Sequence, residues 1–517
     1  MAMVELARHE ASKSLPLSQI AEAQRLPLPY LEQLFLSLRR AGVVESVRGR
    51  AGGYRLSRTP QEITVADVMA AVEEGTHFTR CHDEATGGCL AGERCVTHAL
   101  WHGLSAVTAG YLQSVTLADV LSGRLSPTAG NVASESVGVR KADAARVYLD
   151  YNATAPLRVE ARAAMLAALD TTGNPSSVHA EGRRARGIVE TAREKVAALI
   201  GAKPSEVVFT SGASEANAWA VSQPADTIFY SGIEHDSVLA GVRHSQARLI
   251  ELPVSRDGMV RIEEVARHWL TRTDLGRRVW VVLQMANNET GAVQPVAEMA
   301  EFAREHGLMM HTDAVQAAGR MEIDFAKLPV TTMALSAHKI GGPKGVGALI
   351  IRDHVDLEPF IRGGGQERRR RAGTENVAAI AGFGAAAEAA AARLAPVGAI
   401  RTLRDGFEAQ VKALVPGVQI MAETSQRLPN TSCVAFPGKL ADSLLIKLDL
   451  AGIAVSSGAA CSSGKVGTSH VLAAMGHDAA TAANAIRVSL GDETTQADID
   501  VLLAALKKIV GQTALAA

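Results

Sequence analysis

Cysteine is scarce in this chain. Five thiols in 517 residues are too few to staple a protein of that size, which excludes a disulfide framework and points to a reducing compartment. Neither sign of charge is in excess: 53 Lys and Arg face 54 Asp and Glu, a formal net charge of −1. The whole chain therefore carries no nucleic-acid signal, although a basic subregion can hide behind an acidic remainder. No run of roughly 18 or more apolar residues lacks charges, so no membrane span is expected. The opening MAMVELARHE lacks the basic-then-apolar pattern of a secretory signal, and the cytoplasm is the expected location. What is present is ample core material. Hydrophobic residues make up 47%, and the length predicts roughly two to four domains, because single cores rarely grow beyond ~250–300 residues.

Composition separates three regions. Residues 1–125 hold short periodic helices, a Gly/Arg-rich hairpin and three of the five cysteines. Residues 126–146 are small and polar and predict a flexible linker. Residues 147–517 alternate strand-like and helical runs, the pattern of an α/β domain on a largely parallel sheet. Strand candidates there include Glu206–Thr210, Thr227–Tyr230, Val279–Met285, Leu308–His311 and Gly347–Ile351. The Ala-rich Gly384–Leu394 predicts a packed helix.

In the first region, Leu17–Ala21 begins a short helix with Ser18 near its cap. Leu26-Pro27-Leu28-Pro29 predicts a turn. Tyr30–Arg40 predicts a second amphipathic helix with Leu31, Leu34, Phe35 and Leu38 on one face. Helix, turn, helix fits a DNA-reading unit. The hairpin Val44–Leu56 reads as a wing, with Arg48, Arg50 and Arg55 placed to meet phosphates. A solvated basic hairpin on a small helical domain is the plainer alternative. Cys81-x7-Cys89-x5-Cys95-x2-His98 then offers three thiolates and an imidazole. Soft thiolates select zinc or iron–sulfur clusters, and the absence of tight CxxC pairs favours a cluster held by a loop with one non-cysteine ligand. His82 and His102 read as surface histidines.

The run YLEQLF…LRRAGVVESVRG…GGYRL, followed by TRC…GGC…C-x-THALW, resembles the winged-helix regulators of iron–sulfur cluster assembly, the IscR type. The resemblance covers nearly all of residues 3–125. It implies a homodimer that binds promoter DNA and a 2Fe–2S cluster on Cys81, Cys89, Cys95 and His98. It also implies that Glu32, in the recognition helix, influences which DNA sequence is read. Two departures from the family pattern matter, the second of which bears on the DNA expectation. The first two cysteines are further apart than the family usually has them, and the family pattern starts further upstream with a helix that contacts DNA.

In the second region, the strand ending at Thr210 runs into Ser211-Gly212-Ala213-Ser214-Glu215-Ala216-Asn217. Such a strand, small-residue turn and helix start present backbone N–H groups to an anion. His235 follows another strand and suits stacking on an aromatic ring; a satisfied core histidine is the plainer alternative. Asn288 and Asp313 each follow or end a strand. A carboxylate in Asp313's position is placed to pair with a protonated pyridine nitrogen. Ser336-Ala337-His338-Lys339 ends a further strand, and Lys339 suits a Schiff base with an aldehyde cofactor. Cys461, in the small-residue run SSGAACSSG, suits a mobile thiol nucleophile. Cys433, in strand-like NTSCVAF, reads as a buried structural thiol. Arg368–Arg371 reads as a structural element or active-site rim rather than a nucleic-acid patch.

The motifs YLDYNATAP, GNPSSVH, TSGASEAN, EHDSV, ANNETG, HTDAVQ, SAHKIGGPKGVGAL, RGGGQERRRRAGTEN, SSGAACSSG and AIRVSLG together resemble the class V, fold-type I pyridoxal phosphate enzymes, most closely the NifS/IscS cysteine desulfurases. The resemblance implies a large α/β domain with a mostly parallel sheet and a smaller α+β domain. It implies that Lys339 is the Schiff-base lysine, Asp313 the partner of the ring nitrogen and His235 the stacking residue. Gln316 and Asn288 would lie near the ring oxygen. Ala213, Ser214, Ser336 and His338 would bind the phosphate, with Thr374 from a second subunit. Arg487 would hold the carboxylate of L-cysteine, and Cys461 would accept its sulfur for a scaffold protein. The expected whole is a desulfurase fused to a cluster-sensing regulator. Alternatives are an active desulfurase whose front domain only binds a cluster or a partner, a regulator whose enzyme-like half only senses a ligand, and a selenocysteine lyase.

Overall fold

The computed structural model describes residues 2–8, 14–24, 28–47, 52–72, 98–122, 146–271, 275–394, 397–457 and 469–511. The chain divides into two compact units, Met1–Lys141 and Ala142–Ala517. The segment expected to be a linker lies almost wholly outside the described residues. No described helix is long and apolar enough to cross a membrane.

The first unit opens with α1 (Ala2–Ala7), α2 (Leu17–Gln24) and α3 (Leu28–Arg40). Leu31, Phe35 and Leu38, spaced for one helical face, are all buried with Ile20, Val43 and Ile63. Each such side chain contributes about 1.5–3 kcal/mol. Of the expected turn Leu26–Pro29, residues 26–27 lie outside the described residues, and Leu28 and Pro29 instead start α3. Proline is tolerated there because first-turn N–H groups have no helical acceptor. Gly42, at φ +71°, ends α3, and Val43 N–H closes on the Leu38 carbonyl at 2.9 Å, a left-handed C-terminal cap. Strands β1 (Val44–Val47) and β2 (Gly53–Leu56) pair antiparallel, and Phe35 meets the Tyr54 ring edge-on at 5.1 Å. This is a helix-turn-helix followed by a wing. The further described helices of this unit are α4 (Val65–Ala71), α5 (His98–Ser114) and α6 (Leu117–Ser122). A reciprocal cap between Thr64 and Asp67 starts α4, stabilising it by about 0.5–2 kcal/mol.

The second unit begins with β3 (Val147–Tyr148). Its main sheet takes β4 (Val207–Thr210), β5 (Thr227–Ser231), β6 (Arg248–Leu252), β7 (Val279–Val282), β8 (Met309–Asp313), β9 (Thr332–Ser336) and β10 (Gly347–Ile351). Their order is β4-β10-β9-β8-β7-β5-β6. Only β10 runs against the rest, paired antiparallel to both β4 and β9. Most of these strands are apolar on both faces because helices cover both sides. Ile228 and Phe229 show the alternation. Phe229 joins the core under α7 (Val159–Leu169), α8 (Ala180–Leu199) and the helices Val296–Glu305 and Val377–Ala392. Ile228 faces α9 (Ala213–Val221) and α10 (Asp236–His244), around the fully buried Trp219. The smaller sheet is antiparallel, from β11 (Gln419–Ile420), β12 (Thr431–Ala435), β14 (Ser456–Ser457) and β15 (Ala485–Ser489), while β13 (Ile453–Ala454) pairs parallel with β3. Helices Val397–Leu414, Ala441–Leu450 and Gln496–Gly511 flank a second apolar core there.

Candidate active site

Parallel strands bring their C-terminal ends to one edge of a sheet, and ligands bind there. In this unit β4, β8 and β9, with the chain following β5 and β7, open on a cavity of about 560 Å³. Ala213 and Ser214 line it from the first turn of α9, whose free N–H groups favour an anion. The chain passes so close here that a Cβ on Gly347 would lie 2.6 Å from the Leu335 carbonyl oxygen and 2.7 Å from the Gly212 carbonyl carbon. Only glycine lets β10 cross beneath this turn. Two carboxylates frame it. Glu215 accepts the Ser211 N–H at 2.8 Å and a bidentate pair from Arg371 at 2.9 and 3.1 Å. Glu367 accepts the Phe209 N–H at 2.9 Å and a bidentate pair from buried Arg193 at 2.7 and 2.8 Å. These fastenings hold Glu367, Arg368 and Arg369 at φ 43°, 57° and 67°, a conformation that costs non-glycine residues about 1–3 kcal/mol each. Arg371 is thus a structural ion-pair partner within the basic run.

At β8's end, Asp313 accepts hydrogen bonds from Asn217 Nδ2 at 2.7 Å and Val315 N–H at 2.9 Å. Asn217 is oriented in turn by His311, 3.0 Å from its Oδ1. Burial pushes the His311 pKa down to about 3, so its imidazole is neutral and donates from Nε2 to that amide oxygen. His235 caps α10, its Nδ1 accepting the Ser237 N–H at 3.1 Å. Burial, then the neighbouring Lys339, lowers its pKa against the pull of Asp313. A neutral ring with Nδ1 accepting carries its proton on Nε2.

Lys339 follows β9 on one turn of 3₁₀ helix. Its Nζ donates to the carbonyls of Asn152 at 2.5 Å and Ala153 at 3.0 Å. His338 lies 3.2 Å from the Thr154 hydroxyl, and burial lowers its pKa to about 4. Gln316 Nε2 donates to the Asn152 carbonyl at 3.1 Å, and its Oε1 accepts from Arg320. The Asn288 carbonyl accepts from Asn152 Nδ2 and from Arg487 Nη1, both at 3.1 Å. Ser336 and Arg487 also line the cavity.

The structure therefore gathers every expected cavity residue of a single chain into one place. Thr374 is exposed and lies outside the lining. Cys461 falls in 458–468, outside the described residues. The chain on either side is fastened: Ser456 donates to Asp150 at 2.8 Å, and Ser469 donates to buried Glu289 at 2.5 Å. Cys433 is buried in β12, and desolvation raises its thiol pKa far above the ordinary range, which makes it inert. Asn152, Asn217 and His311 orient the site. They stand inside the quoted motifs, but their partners lie up to hundreds of positions away. In the first unit, Glu32 is exposed on α3, and Arg55 donates to Glu45 across the wing at 3.0 and 3.3 Å. Arg48, Arg50, Cys81, Cys89, Cys95 and the His98 side chain lie outside the described residues.

An anion-binding helix start, a hydrogen-bonded carboxylate and a lysine amine open on one cavity. This set fits pyridoxal phosphate, with its phosphate, ring nitrogen and aldehyde.

Residues 147–502 match the family described as "Aminotransferase class-V", and residues 1–123 match the "Iron-dependent Transcriptional regulator" family, Rrf2. A cysteine desulfurase of Cereibacter sphaeroides is 46% identical over 380 residues, covering 71% of this chain and 96% of that protein. The cysteine desulfurase IscS of Dictyoglomus turgidum is 40% identical, covering 70% and 94%. A NifS-like protein from Rickettsia africae superposes with a TM-score of 0.66 at 33% identity, covering 71% of this chain and all of that one. The chain belongs to the class-V aminotransferase family as a cysteine desulfurase, carrying an Rrf2-type regulator domain at its N-terminal end.

Proposed function

We propose that the cavity binds pyridoxal phosphate and L-cysteine and that the sulfur leaves on Cys461. The convergence of Lys339, Asp313, the α9 N-terminus and Arg487 on one cavity carries this reading. Ala213, Ser214, Ser336 and His338 hold the phosphate, with Thr374 supplied by a second copy in a homodimer. Asp313 pairs with the ring nitrogen, His235 stacks on the ring, and Gln316 and Asn288 contact its oxygen side. The cofactor, when bound, supplies an electron sink for charge developing at the substrate Cα. Lys339 anchors it covalently and moves the Cα proton. Arg487 fixes the substrate carboxylate, and His235 offers its Nε2 proton close by. The Cys461 thiolate attacks the substrate sulfur. A Sγ–S bond forms as Cβ–S breaks, the electron pair stays with Cβ, and protonation there gives alanine. Enzyme purified with its cofactor should release alanine and, with a thiol reductant, sulfide from L-cysteine. Alanine release from L-selenocysteine alone would point to a selenocysteine lyase.

For the first unit we infer a cluster-sensing regulator. Cys81, Cys89, Cys95 and His98 hold an iron–sulfur cluster of the 2Fe–2S type, and Glu32, Arg48, Arg50 and Arg55 face promoter DNA. The desulfurase supplies sulfur to a scaffold or other acceptor protein in the cytoplasm. The Glu45–Arg55 pair favours a second reading, a cluster-binding or interaction module without DNA binding, because it cancels one wing charge. The full chain made anaerobically is expected to contain iron and acid-labile sulfide. Ala at Cys81, Cys89 or Cys95 should abolish both, while His98→Ala should weaken the cluster less, since water can replace an imidazole. Stoichiometric zinc with no iron would sink the cluster, and a gel shift with promoter DNA separates the two readings.

A further inference from the structure

Arg487 sits mid-strand in β15 and is only 3% exposed. Its guanidinium is already engaged. Nη2 donates to Asp150 Oδ1 at 2.8 Å, and Nη1 donates to the Asn288 carbonyl at 3.1 Å. Nε is buried and has no acceptor among the described residues. Asp150 gives its other oxygen to the Ser456 hydroxyl at 2.8 Å. Ser456 is the residue opposite Arg487 in the β14–β15 ladder.

A lone guanidinium in such a wall is costly, and a hydrogen-bonded carboxylate offsets part of that cost. Asp150 supplies that carboxylate in the free enzyme. A carboxylate arriving at Arg487, however, brings a like charge beside Asp150, which opposes it. A bidentate carboxylate also needs two adjacent donors, and Asp150 takes one of them while Nε stays unmet. Ser456 matters for the exchange. An Asp150 released from Arg487 still has a donor, so it is not stranded.

We propose that Asp150 is a stand-in carboxylate: it holds Arg487 paired and oriented without substrate, and gives it up to the α-carboxylate of the amino acid. Asp150 is then a positioning residue that lowers substrate affinity by competition and keeps the arginine in place between turnovers. This rests on the proposed role of Arg487.

The probe is propionate, a carboxylate with neither amine nor thiol, added to the enzyme carrying its cofactor. Asp150→Asn keeps the side-chain shape and removes the charge. It is expected to bind propionate about tenfold more tightly as a competitive inhibitor, the direction set by removal of a neighbouring like charge. KM for L-cysteine should fall while kcat does not rise. The melting temperature of the variant should rise with propionate more than that of the wild type, because only the variant lacks a counter-ion for Arg487. Asp150→Ala, which asks less of local geometry, should shift propionate binding in the same direction. Arg487→Lys tests the reading beneath: KM should rise strongly and propionate protection vanish. Unchanged or weaker propionate binding in both Asp150 variants, with KM still raised in Arg487→Lys, overturns the stand-in and leaves the substrate role intact. An unchanged KM in Arg487→Lys overturns the substrate role itself.

Discussion

Lys339→Ala is expected to lose desulfurase turnover by at least about 10³-fold, the scale of a lost general base and a lost covalent anchor together. It should also take up pyridoxal phosphate without becoming joined to it. The geometry sets this expectation. Two backbone carbonyls, of Asn152 and Ala153, aim Nζ, and the short turn after β9 fixes the Cα. Among the described residues lining the cavity, the other primary amine is Lys344. Borohydride reduction followed by peptide mapping distinguishes them. The wild type should carry the cofactor mass on the peptide of Lys339, and Lys339→Ala should carry none. A label on Lys344 in the wild type would reassign the anchor.

Cys461→Ala should abolish persulfide formation and sulfide release while leaving the absorption of the bound cofactor as in the wild type. The two thiols of the enzyme unit, Cys433 and Cys461, differ in their surroundings. Cys433 is buried, and its raised pKa keeps it from forming the thiolate that attacks sulfur. Cys461 lies among serines and glycines, between the fastenings at Ser456 and Ser469. Alkylation after reaction with L-cysteine should place the persulfide tag on the Cys461 peptide, and Cys433→Ala should keep that tag. Full turnover in Cys461→Ala, or a tag on Cys433, would overturn the assignment.

Much of the enzyme fold was legible in the sequence, because buried strands of a parallel sheet are continuous apolar runs. Gly347–Ile351 was read to the residue, and β4, β5 and β8 to within two residues at either end. β6 was missed. Arg248-Leu-Ile-Glu-Leu is an edge strand with charges facing water, and it lacks the apolar run. The helix read as Gly384–Leu394 begins at Val377, since the Ala-rich stretch marks only its second half. The helical start at Leu28-Pro29 is not legible locally, because proline signals a break more often than a first turn. The gathering of Lys339, Asp313, His235 and Arg487 came from the motifs and not from local pattern. What no local pattern carries is pairing at long range. Asp150 and Arg487 stand 337 positions apart, and Arg193 finds Glu367 across 174. Nothing in the flanking residues announces either partner.

The reversed strand β10 acts as a ruler. β4 delivers the anion-binding turn and β9 delivers the lysine, and β10 keeps them two strand spacings apart, roughly 9.5 Å. Running the other way, it brings its first residue, not its last, to the ligand edge, and that residue is Gly347. The divider therefore spends no side chain on the gap it creates.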